Sequence, residues 1–193
     1  MAGIDVVVSA TEGESCENEM EMGGYDVNVE AFERRLFEAG TQLEHTLLSG
    51  NGQLLLQSLA KVELCLSMVK QLHSRPMPES LHHAILPSMT TLINPDLLRH
   101  PDKDVRLLVL NCLSQITKIT APNEPFEEDV MKEILELIVQ SFQDLGKMSS
   151  PSFKRRIFIL KIVEEVHLCT LMVDLDLNNL LLELFKHFFA AVS

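Results

Sequence analysis

Apolar residues recur every three or four positions along most of this chain, and turn-forming residues divide them into segments. From Asn28, the residues Val29, Phe32, Leu36 and Leu43 form one stripe, with Gly40 as an expected break inside it. Ser49-Gly50-Asn51-Gly52 reads as a turn. Leu55, Leu59, Val62, Leu66, Val69 and Leu72 then trace a long amphipathic helix, which Ser74 to Pro78 ends with two prolines. Leu81, Ile85, Leu86, Met89 and Leu92 mark the next helix, and Pro87 within it predicts a kink or an early stop. Asn94-Pro95 carries a helix-start signature, Asn at the cap and Pro at the first helical position, but His100-Pro101 soon restarts the chain. A helix from about Asp102 to Thr120 follows, then a rigid loop, Ala121-Pro122-Asn123-Glu124-Pro125. Glu127 to Leu145 is another helix, with Glu127, Glu128 and Asp129 at its positive end. Ser149-Ser150-Pro151 caps a helix running to about Val173, and Asn178 to Val192 forms the last one.

The pattern repeats after about fifty residues. Arg106-Leu107-Leu108-Val109-Leu110-Asn111-Cys112-Leu113-Ser114-Gln115-Ile116 aligns with Arg156 to Val166, apolar on apolar, with Arg opening both. Val130, Met131, Glu133, Ile134 and Leu135 answer Leu180, Leu181, Glu183, Leu184 and Phe185 at the same offset. Val62, Leu66 and Val69 answer Val109, Leu113 and Ile116 more weakly, at an offset of 47. Helix pairs at this spacing fit a stacked array, whose HEAT and armadillo versions have periods of about 40–47 residues. The fold expected is all-α: a HEAT-like α-solenoid, or ARM-type superhelix, of three to four helix pairs over residues 27–193. Its second helices fall near 54–72, 104–120 and 154–172. Residues 1–26, with acidic Glu12, Glu14, Glu17, Glu19 and Glu21 and no period, read as a disordered tail. The last helix, rich in Leu180, Leu181, Leu182, Phe185, Phe188 and Phe189, has no second helix after it to cover its apolar face. The array therefore reads as truncated at its C-terminus.

Composition narrows the function. The 193 residues are 46% apolar, enough for a buried core, and lack Trp. A formal net charge of −12 opposes binding of a phosphate backbone by the whole chain. Cys16, Cys65, Cys112 and Cys169 lie far apart with no Cys-x-x-Cys pair, which favours a reducing compartment over a disulfide framework. No apolar run is long and clean enough for a membrane span.

Chemistry finds no candidate. His45, His73, His82, His83, His100, His167 and His187 lack His-Glu-x-x-His or zinc spacing. Gly50-Asn51-Gly52 lacks the lysine of a phosphate loop, and no Cys stands beside a plausible base. We expect no catalytic residue, no cofactor and no metal. Asp104-Val105-Arg106 reads as part of a polar ladder between stacked repeats. The sharper candidate is a partner-binding basic patch. Arg99, Lys103 and Arg106 surround the start of one second helix, and Lys154, Arg155 and Arg156 open the next. Stacking brings the two groups to one edge, where an acidic peptide or phosphate backbone could use them. Cations at helix N-termini oppose the macrodipole, so helix stability does not account for them. On this reading, Lys154→Glu with Arg155→Glu weakens partner binding without unfolding the chain.

One stretch is more specific than the periodicity. Leu97-Leu98-Arg99-His100-Pro101-Asp102-Lys103-Asp104-Val105-Arg106 leads through Cys112-Leu113 to Ile119-Thr120-Ala121-Pro122-Asn123-Glu124-Pro125-Phe126. It resembles the N-terminal repeats of the precocious-dissociation-of-sisters family of sister chromatid cohesion regulators. Ser149-Ser150-Pro151-Ser152-Phe153 to Asp174-Leu175 resembles the family's next repeat, and Glu30 to Ser67 is most similar to plant-type members. The resemblance covers roughly residues 28–193. It implies a nuclear, non-enzymatic regulator whose partners are cohesin subunits and the factors that maintain or release cohesin. Chromatin is then met indirectly, with no membrane and no small-molecule substrate. It transfers no kleisin-contacting residue, since that contact maps largely to later repeats of the family. The other reading is a HEAT or armadillo adaptor for transport or phosphatase assembly, unrelated to cohesin; a small helical enzyme comes third.

Overall fold

The computed structural model describes residues 18–72 and 77–192, with side chains for 28–69 and 77–192. Two long helices open it: α1 Asn18–Ser49 and α2 Gly52–Leu72. Next come α3 Glu79–Leu92, the single turn α4 Pro95–Leu98, and α5 Lys103–Thr120. α6 Glu128–Ser141 tightens into a 3₁₀ turn, Phe142–Asp144; α7 Phe153–Glu165, α8 Leu168–Asp174 and α9 Asn178–Val192 complete the order. No strand occurs among the described residues. Nor is any described helix long and apolar enough to cross a membrane.

The helices form two layers. α2, α5 and α7 stack side by side as second helices, α1 packs along α3, and α6 along α9. This is an all-α, HEAT-like solenoid. The repeat is physical: Val109, Cys112 and Leu113 of α5 are buried, as are their counterparts Ile159, Ile162 and Val163 of α7. α5 lies between α2 and α7 and beneath α3, α4 and α6, which is why even its polar Asn111, Ser114, Gln115 and Thr117 are buried. Ser114 and Thr117 satisfy their hydroxyls on the carbonyls of Leu110 and Leu113, four residues back.

Local signals behave as their chemistry dictates at the starts of α4 and α5, whereas no side chain caps α7. Asn94 Oδ1 accepts from the Asp96 amide at 2.9 Å, and Asp102 Oδ1 from the Asp104 amide at 2.8 Å. Gly50, at φ 66°, makes the turn between α1 and α2.

Five expectations need correction. α1 does not break at Gly40. A Cβ there would stand 2.7 Å from Ser88 N and 3.0 Å from Pro87 Cβ, so this glycine lets two helices cross closely. α3 does not stop at Pro87; it runs on to Leu92, and the hydroxyl of Thr91 donates to the Pro87 carbonyl at 2.8 Å. Leu86, assigned to the buried stripe of α3, is exposed. The helix expected to reach Val173 divides at His167, whose φ of 54° turns the chain left-handed before α8, with no Gly or Pro to announce it. α1 begins at Asn18, inside the stretch that composition assigns to a tail. The rest of that tail, with Val6–Val8 and Cys16, and residues 73–76 of the expected two-proline break lie outside the described residues, as does the Leu72 side chain.

Candidate partner-binding face

Stacking the second helices creates a polar ladder across three repeats. Arg155, at the start of α7, grips the Glu63 carboxylate of α2 with two nitrogens, Nε to Oε1 at 3.0 Å and Nη2 to Oε2 at 3.3 Å. Asn111 of α5 donates its amide to the same carboxylate. One acidic side chain thus ties α2, α5 and α7, with the fork geometry that suits Arg to carboxylates. Two further cross-repeat contacts flank it. Ser152 Oγ donates to Asp104 Oδ1 at 2.9 Å, and Lys118 pairs with Glu165. Asp104 therefore does bridge repeats, whereas Arg106 turns back on its own, donating to the carbonyls of His100 and Pro101.

The six expected cations divide among several surroundings. Arg99 is exposed and bonds Glu133 of α6 at 2.8 Å. Lys103, Arg106 and Arg156 line one small pocket at the junction of α5, α6 and α7. Arg156 is buried there, its Nε donating to the Ser141 carbonyl at 2.9 Å, a favourable place for a cation at the negative end of α6. Lys154 and Arg155 line a different surface, a groove between α2, α5 and α7. Lys154 is exposed and has no ion pair among the described residues.

The groove measures about 510 Å³, with Glu63, Asn111 and Gln115 along it and Leu64 and Phe158 at its sides. Leu64 is 60% exposed and Phe158 40%. It presents apolar area beside fixed charge, a combination found at contact surfaces between chains. Neither Glu63 nor Asn111 was singled out by sequence reasoning. A faint signal existed: Asn111 is a polar residue inside an otherwise buried α5, and α7 carries exposed Lys161 at the matching place.

Several groups with chemical potential are engaged elsewhere or pushed toward their neutral form. No cluster of three or more His, Cys, Asp or Glu could hold a metal among the described residues. His83 stacks on Phe37 with centroids 5.6 Å apart, and His187 sits 3.3 Å from Glu183. Burial pushes the Cys112 thiol far up, with Glu63 adding to the effect, and burial also raises Cys65 and Cys169. None of these three thiols is activated as a nucleophile. The loop over residues 121–126, which carries the most specific sequence signature, leaves α5 through a cis Ala121–Pro122 bond, and Phe126 packs against the core. At the far end, Leu182, Phe185, Phe189 and Val192 expose the apolar side of α9.

Residues 53–193, spanning α2 to α9, match the pattern of the family described as sister chromatid cohesion protein PDS5. The chain belongs to the PDS5 family. Among its relatives, PDS5 homolog C of Arabidopsis thaliana is 41% identical over 160 residues, 83% of this chain and 18% of the relative. PDS5 homolog A of the same plant is 40% identical over 156 residues, 81% of this chain and 9% of the relative. PDS5 homolog A-B of Xenopus laevis is 36% identical over 110 residues, 56% of this chain and 8% of the relative. The chain thus spans less than a fifth of the length of each of these PDS5 proteins. No solved structure matches it.

Proposed function

We propose that this chain is a non-enzymatic HEAT-repeat scaffold that takes part in sister chromatid cohesion by binding the cohesin complex and the factors that maintain or release it. It works in the nucleus and meets chromatin through those partners. The observation that carries the reading is the PDS5 match over residues 53–193, which favours it over an unrelated transport or phosphatase adaptor. The described surface suits the role: helices locked in register by buried contacts hold a groove of exposed Leu64, Phe158 and Lys154 in fixed positions. Rigid presentation limits the entropy lost on binding.

Expression of the chain with a fluorescent tag in dividing cells tests the proposal. Chromosome-associated fluorescence should appear and should vanish after acute depletion of cohesin. A tagged chain that stays off chromosomes, or whose chromosome signal is indifferent to cohesin, would overturn it.

A further inference from the structure

The pocket at the junction of α5, α6 and α7 gathers Lys103, Arg106 and Arg156, with Gln140 and Gln143 beside them and one carboxylate, Asp144. Three cations around one acid is an unusual local balance in a chain of net charge −12. Arg156 is only 9% exposed, and its Nη1 meets no acceptor among the described residues. A buried guanidinium with one nitrogen lacking an acceptor is under-compensated within the fold, so an anion held in the adjacent pocket is favoured by its charge. Arg106 is held in place by its bonds to the His100 and Pro101 carbonyls, while exposed Lys103 has no ion pair among the described residues.

We propose that this pocket binds a phosphate group. Its volume is about 160 Å³, below the roughly 300 Å³ where ordinary small-molecule pockets begin, so it fits a head group rather than a whole nucleotide. Arg106 and Arg156 hold two positive charges in fixed positions, Lys103 adds a mobile charge and donor, and the glutamine amides can complete the oxygen contacts. Asp144 does not cancel the site, because its carboxylate is engaged by Lys147 at 2.7 Å and stands 3.8 Å from Arg156 Nη2. The bond from Lys147, with the charges of Arg156 and Lys103 behind it, holds Asp144 below the usual carboxylate range. The pocket stands apart from the groove that holds Lys154, and the proposal does not depend on the cohesin reading.

Thermal melts of the whole chain test it, with inorganic phosphate titrated against chloride at matched ionic strength. Phosphate should raise the melting temperature saturably. Lys103→Gln should weaken the phosphate dissociation constant by up to about fivefold, the scale of one exposed ion pair. Asp144→Asn should tighten it, and Lys161→Gln, exposed and outside the pocket, should leave it unchanged. A short peptide bearing phosphoserine separates the sources. Tighter binding than inorganic phosphate assigns the group to a modified side chain, and equal or weaker binding assigns the free anion. Melts that respond alike to phosphate and chloride, or a Lys103→Gln chain that binds phosphate as the parent does, would overturn the site. Lys103 is exposed on the first turn of α5, so its variant tests the pocket even if changes at Arg156 unfold the chain.

Discussion

Gly40 shows how far a single residue can be read before its neighbours are known. A glycine inside a helical stripe is visible in the sequence, and the usual inference is a break, since Gly costs about 1 kcal/mol against Ala in a helix. Its partner surface, Ser88 and Pro87 of α3, lies some way along the chain, and no local pattern announces that α1 and α3 cross there. The two effects have opposite signs. Ala gains about 1 kcal/mol of helix propensity, but its Cβ would press on the Ser88 backbone nitrogen, and overpacking of this kind costs about 1–3 kcal/mol. Gly40→Ala should therefore destabilise the chain by up to about 2 kcal/mol in urea unfolding. A stabilised variant would mean that α1 and α3 stand further apart. His167 teaches the complementary lesson. Its left-handed backbone divides α7 from α8; histidine tolerates positive φ better than most residues but does not break a helix as Gly or Pro does, so the apolar pattern alone reads as continuous.

At the scale of elements, periodicity was the strongest guide. The apolar positions of α5 and α7 recur at a fixed offset because the two helices pack side by side and bury corresponding residues. Polar contacts between repeats were harder to see. The Asp104 link to Ser152 fits the expected ladder, but the ladder's centre, Glu63 with Asn111 and Arg155, joins residues whose polarity marks them in sequence as ordinary surface. This changes the meaning of the charge reversal expected to spare the fold. Arg155→Glu sets two carboxylates face to face at the α2–α7 contact and should lower stability; Lys154→Glu should not. Glu63→Ala, which leaves the Asn111 amide and the Arg155 guanidinium without their shared acceptor, should cost about 1–3 kcal/mol. Denaturant melts of these variants decide the point. Equal stability of Arg155→Glu and Lys154→Glu would mean that the Glu63–Arg155 contact does not hold the repeats together.

Across the whole molecule, the all-α repeat architecture could be read because helix caps, apolar spacing and internal repetition agree with one another. The candidate face could be read only in part. Six cations were visible, but which of them are spent on Glu133, Glu63 and the Ser141 carbonyl depends on how three helix pairs stack. What remains exposed is a groove with Lys154 at one end and Leu64 and Phe158 beside it, and a separate pocket around Lys103. The proposed role requires this stack to engage cohesin directly through its own surface. Equilibrium binding of the purified chain to purified, reconstituted cohesin tests it most directly, with Lys154→Glu, checked for an unchanged melt, as the comparison. Saturable binding that Lys154→Glu weakens is the expected result. A folded chain that shows no saturable binding to cohesin would contradict it.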